Sequence, residues 1–199
     1  MSENQAPAGI EEIRVAQSST GSSLWEPFRG PEIDALLERQ LGGQANARNR
    51  EVVLEEARRI LSRCARPTAP DGQTTGLVMG YIQSGKTLSF TAVAALARDN
   101  AYRMVIVIAG TTNNLAEQSR DRLIRDLGLG ETSFPKWQHF HNPDSGDVPR
   151  IRDVLSEWND ANVPENERRS VFVTVLKYHS QLRKLVRVLS SLGHLRGVP

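Results

Sequence analysis

Apolar residues recur along this chain with two different periods, and the alternation between them divides it into strands and helices. Tyr102 to Ala109 (YRMVIVIA) and Ser170 to Leu176 (SVFVTVL) are nearly continuous apolar runs rich in β-branched residues. Their length and composition are those of strands buried on both faces of a parallel sheet. Gly76-Leu77-Val78-Met79 is a shorter run bounded by glycine, and Trp137 to His141 (WQHFH) reads as a further short strand.

Between these runs the spacing becomes helical. Pro31 opens a helix whose apolar face is Ile33, Leu36, Leu37 and Leu41, ended by Gly42-Gly43. A second helix from Ala47 to Cys64 carries Val53, Ala57, Ile60, Leu61 and Cys64 on one side and stops at Arg66-Pro67. This antiparallel pair has an apolar stripe to bury, either on the sheet that follows or against another domain. Leu88 to Ala97, Leu115 to Leu127 (inward Leu115, Leu123, Leu127; outward Arg120, Arg122, Arg125) and Val148 to Trp158 are further helices. The last helix buries Leu182, Leu185, Val186, Leu189 and Leu192 and ends at Gly193. Residues 1–23 are polar and lack aromatic residues, so a mobile leader is expected, with packing beginning at Trp25 and Phe28. The expected organisation is a leader at 1–23, a helical pair at 24–72 and an α/β unit at 73–199. Strand, helix, strand in that unit implies right-handed parallel connections.

The sharpest chemical signal lies between the first short run and its helix. Gly80-Tyr81-Ile82-Gln83-Ser84-Gly85-Lys86-Thr87 fits the phosphate-loop pattern of glycine, four residues, then Gly-Lys-Thr. Gly80 and Gly85 let backbone N–H groups approach phosphate oxygens, and the helix that follows offers its positive dipole end. Lys86 supplies a full charge to the β- and γ-phosphates, and the Thr87 hydroxyl is a ligand for Mg2+. Lys86→Ala should abolish nucleotide binding while leaving the fold intact.

Composition changes the picture in three places. With 199 residues, 39% hydrophobic and 24% charged, the chain is long enough for one ordinary core. It has no apolar run long enough to span a membrane and no secretory pattern at its start, which points to the cytoplasm. The single Cys64 falls on an apolar helix face and reads as a buried thiol. The net charge of +2 hides an asymmetry, because no acidic residue follows Glu167 while Arg168, Arg169, Lys177, Arg183, Lys184, Arg187 and Arg196 do. That block suits the phosphates of a nucleic acid, or equally a solvated helix face.

Other candidate chemistry is incomplete. His139 and His141 share one face of their strand, but no Cys, Asp or Glu at suitable spacing completes a metal site. The turn Gly110-Thr111-Thr112-Asn113-Asn114 lies at the carboxyl end of a parallel strand, where such sheets bind ligands, and the same residues also cap helices. A phosphate-loop ATPase needs an aspartate at the end of a second apolar strand, and neither Ala109 nor Leu176 leads into one. The four lysines are preceded two positions earlier by Ser84, Phe134, Val175 and Leu182, so the carboxylate-x-lysine arrangement of magnesium nucleases is absent. Nucleotide binding is therefore better supported than turnover.

Together, GLVMGYIQSGKT, YRMVIVIAGTTNNLAEQSRDRL and VFVTVLKYHSQLRKL resemble the front half of a superfamily-two helicase or translocase core of P-loop NTPase (RecA-like) type. More closely they resemble the Z-one domain family, large bacterial proteins named as endonucleases and associated with restriction and defence systems. Gln83 to Thr87 match that family's phosphate loop, and Ala109 to Leu115 with Gln118 match its Ala-Gly-Thr-x-Asn-Asn-Leu-x-x-Gln turn. The resemblance spans residues 75–199. It implies that Gly80, Gln83, Ser84, Gly85, Lys86 and Thr87 bind ATP and Mg2+. It further implies that Gly110, Thr111, Thr112 and Asn113, with Thr174 and Lys177, lie along DNA. The family's acidic motif would follow Pro199, so the chain is expected to be the N-terminal part of an ATP-dependent DNA-acting protein with partner subunits of a defence system. The rival readings are a nucleotide-dependent switch or docking module without turnover, and a small P-loop kinase.

Overall fold

The computed structural model describes residues 24–69, 72–78, 86–108, 110, 121–130 and 135–193. The chain is a mixed α/β protein with a small open sheet of three parallel strands: β1 (Met104–Ile108), β2 (Trp137–His141) and β3 (Ser170–Val175). Their order is β1-β3-β2, with Val105 opposite Phe172 and His139 opposite Phe172 on the other side. The last strand in sequence is thus the central one, and all six of its residues are buried.

Helices cover both faces. α1 (Pro31–Leu41), α2 (Ala47–Leu61), α3 (Lys86–Asp99) and α4 (residues 121–127) share one core with Trp137 and Phe172, and Val105 and Val107 pack against it. On the opposite face α5 (Val148–Ser156) and α6 (His179–Leu192) cover Phe140, Val171, Val173 and Val175, with Met104 and Ile106 alongside. Alternation along β3 produces this division: Phe172 faces one layer and its odd-numbered neighbours face the other. The Trp137 and Phe172 rings meet edge to face, with centroids 5.5 Å apart.

Most helix limits follow the sequence pattern, including Pro31 at the start of α1 and the buried Leu123 and Leu127 of α4. Leu115, Arg120 and the leader at 1–23 lie outside the described residues. The N-terminal pair buries its stripe mainly on α3 rather than on the sheet. Four expectations are corrected. Residues 72–77 have no regular secondary structure, Val78 makes a single bridge, and Leu77 and Val78 are 65% and 44% exposed. A run of three apolar residues between glycines supplies too few ladder bonds to hold a buried strand by itself. β1 is only partly buried and ends on Ile108, 50% exposed, because among the described residues it pairs with β3 alone. Val186 points to solvent and Val188 takes its place in the buried stripe, and Phe28 is exposed while Trp25 packs inward.

No helix among the described residues is long and apolar enough to cross a membrane. Cys64 is half-buried, its thiol 3.6 Å from the Ile60 carbonyl, and burial pushes its pKa up. That is the environment of an inert thiol.

Candidate functional site at the carboxyl edge of the sheet

The direction of α3 decides where its first residues lie. Near its end, Arg98 donates to the carbonyls of Lys136 (3.1 Å) and Arg168 (2.8 Å), residues that precede β2 and β3. The C-terminus of α3 is therefore at the amino edge of the sheet. Fourteen residues of helix rise about 21 Å, against roughly 17–20 Å for strands of five or six residues. Lys86 and Thr87, the first two residues of α3, consequently open the helix at the level of the carboxyl edge. There the helix dipole presents its positive end and its first backbone N–H groups have no partner within the helix.

The same edge gathers the ends of all three strands. Gly110, just beyond β1, has φ +72° and accepts the Lys177 N–H at 2.9 Å, tying the β1 turn to the β3–α6 turn. A side chain would be strained at that φ. Asn142, the residue after β2, also has a positive φ, +48°, and is held by its neighbours. Its N–H donates to the Thr174 carbonyl at 2.8 Å, and its side-chain oxygen accepts the Leu176 N–H at 2.9 Å. A non-glycine residue in this region is more often a local constraint than an accident, although asparagine tolerates it best.

Thr174 is only 5% exposed, and its hydroxyl lies between two imidazoles, 2.9 Å from His139 Nε2 and 3.0 Å from His141 Nδ1. The hydroxyl is thus engaged within the sheet face, whereas Lys177 is exposed beside Tyr178, itself 61% exposed. Beyond them α6 turns His179, Arg183, Lys184 and Arg187 to solvent. None of those last three cations makes an ion pair among the described residues, unlike Arg29, Arg50 and Arg59, which pair with carboxylates of α1 and α2.

Of the residues singled out by sequence, Gly110, Thr174 and Lys177 come together here, and Lys86 and Thr87 open the helix at the same level. Gly80, Gln83, Ser84, Gly85, Thr111, Thr112 and Asn113 lie outside the described residues. No group of three or more His, Cys, Asp or Glu able to hold a metal occurs among the described residues. Sequence reading placed Asn142 only as the start of a turn, Asn142 to Gly146, and gave it no part in the site. Its identity and place were the available signal, since asparagine directly after a strand is the residue other than glycine that most readily takes a left-handed turn conformation. The pairing of His139 and His141 was visible, but their common partner, Thr174, became visible only with the strand order.

No family model, no curated protein and no solved structure matches this chain.

Proposed function

We propose that this chain binds ATP and Mg2+ through Gly80 to Thr87 and forms the front part of an ATP-dependent, DNA-acting protein of the P-loop NTPase class. The observation that carries the reading is the start of α3 at Lys86, at the carboxyl edge of a parallel sheet and immediately after the Gly-x-x-x-x-Gly-Lys-Thr pattern. The donor set suits the ligand: glycines and a helix N-terminus for phosphate oxygens, a lysine for their charge, and a threonine hydroxyl for the metal. Gly80, Gln83, Ser84 and Gly85 would surround the phosphates, with Thr87 completing the shell of Mg2+.

DNA is the partner favoured by charge. Lys177, Arg183, Lys184 and Arg187 are exposed on α6 and the turn before it, in a segment without acidic residues after Glu167. Gly110 lies at the ligand-binding edge of such sheets, and Thr111 to Asn113 follow it in the sequence. The residues that resemble the Z-one family support this reading, and with it a role in bacterial restriction or defence is proposed. The test is ATP hydrolysis and ATP affinity, with and without DNA, for the chain and for its Lys86→Ala variant. Loss of ATP affinity in a folded variant supports the site, and an affinity that Lys86→Ala leaves unchanged overturns it.

A second reading is a nucleotide-dependent switch that binds ATP without turnover. It is favoured by one observation: β1 and β3 end in Ile108 and Val175, and no carboxylate follows either within two residues. ATP binding with no hydrolysis in the presence of DNA selects it.

A further inference from the structure

Among the described residues, the tryptophans and tyrosines spend their polar atoms on the fold, with one exception. The indoles of Trp25, Trp137 and Trp158 donate to the Cys64 carbonyl, the Glu32 carboxylate and the Arg169 carbonyl, and the Tyr102 phenol donates to the Ala65 carbonyl. Tyr178 is the exception. It is 61% exposed, and neither its ring nor its hydroxyl has a stacking or hydrogen-bond partner among the described residues.

Its backbone, by contrast, is fixed on both sides. The Tyr178 N–H donates to the Leu176 carbonyl at 2.6 Å, its own carbonyl accepts the Leu182 N–H at 2.9 Å, and the preceding N–H, that of Lys177, donates to Gly110. With φ −124° and ψ 136°, Tyr178 stands in extended conformation at the head of α6, and its side chain takes no part in capping the helix. A tyrosine on a held backbone has only two torsions left to order when it meets a flat ligand, so little entropy opposes stacking.

The charge around the ring is positive. Lys177 precedes it, and Arg183, Lys184 and Arg187 are exposed along the next turns of α6, none of them ion-paired among the described residues. Arg183 and Arg187 are one helical turn apart, about 6 Å along the axis. A strand laid along α6 would meet these cations with its phosphates and the ring with a base. Phe28, 67% exposed at the opposite edge, shows the contrast. Its backbone is bonded to Asn100, and the neighbouring Arg29 is already paired with Asp34 and Glu51. An exposed ring without available cations is an ordinary surface residue.

We propose that Tyr178 is a stacking platform for one unpaired base, so that this face takes single-stranded DNA in preference to duplex. In a duplex the bases are paired and stacked on one another, and a ring at the head of α6 meets only sugar and phosphate. In a single strand every base offers a free face, and a ring set among cations holds it without regard to sequence. The inference rests on DNA as the partner of α6 and adds which form of it is bound. It does not depend on the nucleotide site.

The test is fluorescence anisotropy with three labelled DNAs of equal length: a single strand, its duplex, and a single strand of abasic sites. The native chain should bind the intact single strand most tightly. Tyr178→Ala should weaken that complex by about fivefold to one-hundredfold, the worth of one stacked base, and leave duplex binding unchanged. The slope of log affinity against log salt should stay the same, because stacking releases no counterions. On the abasic strand the native chain and Tyr178→Ala should bind alike. Tyr178→Phe keeps the ring and should keep the affinity, which separates stacking from a hydrogen bond of the hydroxyl. Both substitutions fall on an exposed side chain, so neither should move the denaturation midpoint. Equal losses on single strand and duplex, equal losses on intact and abasic strands, or no loss at all overturn the platform and leave DNA as a partner. No binding of the native chain to any of the three DNAs overturns the DNA reading, and the platform with it.

Discussion

The two edges of the sheet are built differently. At the amino edge, charged and aromatic side chains reach across long stretches of sequence to hold backbone in place. Arg98 spans to the carbonyls before β2 and β3, Asp99 caps the first N–H groups of α1 at Glu32 and Ile33 (both 3.0 Å), and the Trp137 indole donates to Glu32 at 3.0 Å. Tyr102 donates to the Ala65 carbonyl, and Trp158 to that of Arg169. At the carboxyl edge the ties seen among the described residues are backbone bonds and the hydrogen bonds of Asn142, His141, Thr174 and His139, and Ile108, Lys177 and Tyr178 are exposed. The amino edge has spent its polar groups on the fold, while the carboxyl edge keeps donors and charge available to a ligand.

The largest expected effect comes from breaking the braced edge. Arg98 is 7% exposed, and Arg98→Met would leave the Arg168 carbonyl without its donor and Glu32 without a nearby counter-charge. A loss of about 3 kcal/mol is expected, read as the denaturation midpoint at unchanged slope. The same substitution at exposed Lys177 should cost less than about 0.5 kcal/mol. Equal losses at the two positions would erase the contrast between the edges.

Asp99 sharpens the contrast through pH. Burial raises its pKa above 3.8, outweighing the two N–H bonds that lower it, so the native state holds this proton more tightly than the unfolded chain does. The stability contributed by its proton is complete below pH 3.8 and is lost as the pH rises through the higher native value. Asp99→Asn removes that dependence and one cap bond, a constant loss of about 1 kcal/mol. Native protein should therefore fall relative to the variant as the pH rises from 3.5 toward 6. Parallel stability curves over that range would contradict the assigned shift. At alkaline pH, Tyr102 acts in the same sense. Its pKa is raised to about 12, first by burial and then by Cys64. The phenol thus favours folding below pH 10 and ceases to do so as the pH passes 12. Absorbance titration of Tyr102→Phe against native protein should remove a late-ionising phenol.

How far these edges could be read in advance depended on whether a residue's role was local. The strands β1 and β3 and the faces of α1, α2 and α5 came from period and composition, since burial on a helix or strand imposes its own spacing. The phosphate-loop pattern is contiguous and so stands out in the sequence, but Gly80 to Gly85 lie outside the described residues. Arg98, Glu32 and Asn142 do not stand out, since each acts on a residue more than 30 positions away and a pattern of neighbours holds no trace of that. Val186 was misplaced for a subtler reason: it is apolar and near the stripe, but 61% exposed, and Val188 fits the same face better. The entering run at Gly76 had the right residues and too few of them to form a regular strand unaided.

The smallest change in stability should accompany a clear change in binding. Arg183→Ala with Arg187→Ala removes two exposed cations that have no carboxylate partner among the described residues, so the fold should change by no more than about 0.5 kcal/mol. If α6 lies along a nucleic acid, each lost phosphate contact lowers the slope of log affinity against log salt by about 0.7 for single strands and 0.9 for duplex. The double variant should then lose about 1.4 to 1.8 in slope and bind DNA more weakly at low salt. Arg29→Ala provides the comparison, since Arg29 is bonded to Asp34 at 2.7 Å and Glu51 at 3.0 Å and its charge is already answered within the fold. A fluorescently labelled DNA titrated by anisotropy over a salt series separates the cases. A slope lowered by the α6 pair and not by Arg29 assigns the charge of this helix to a partner, and equal slopes in all three proteins return it to the solvent.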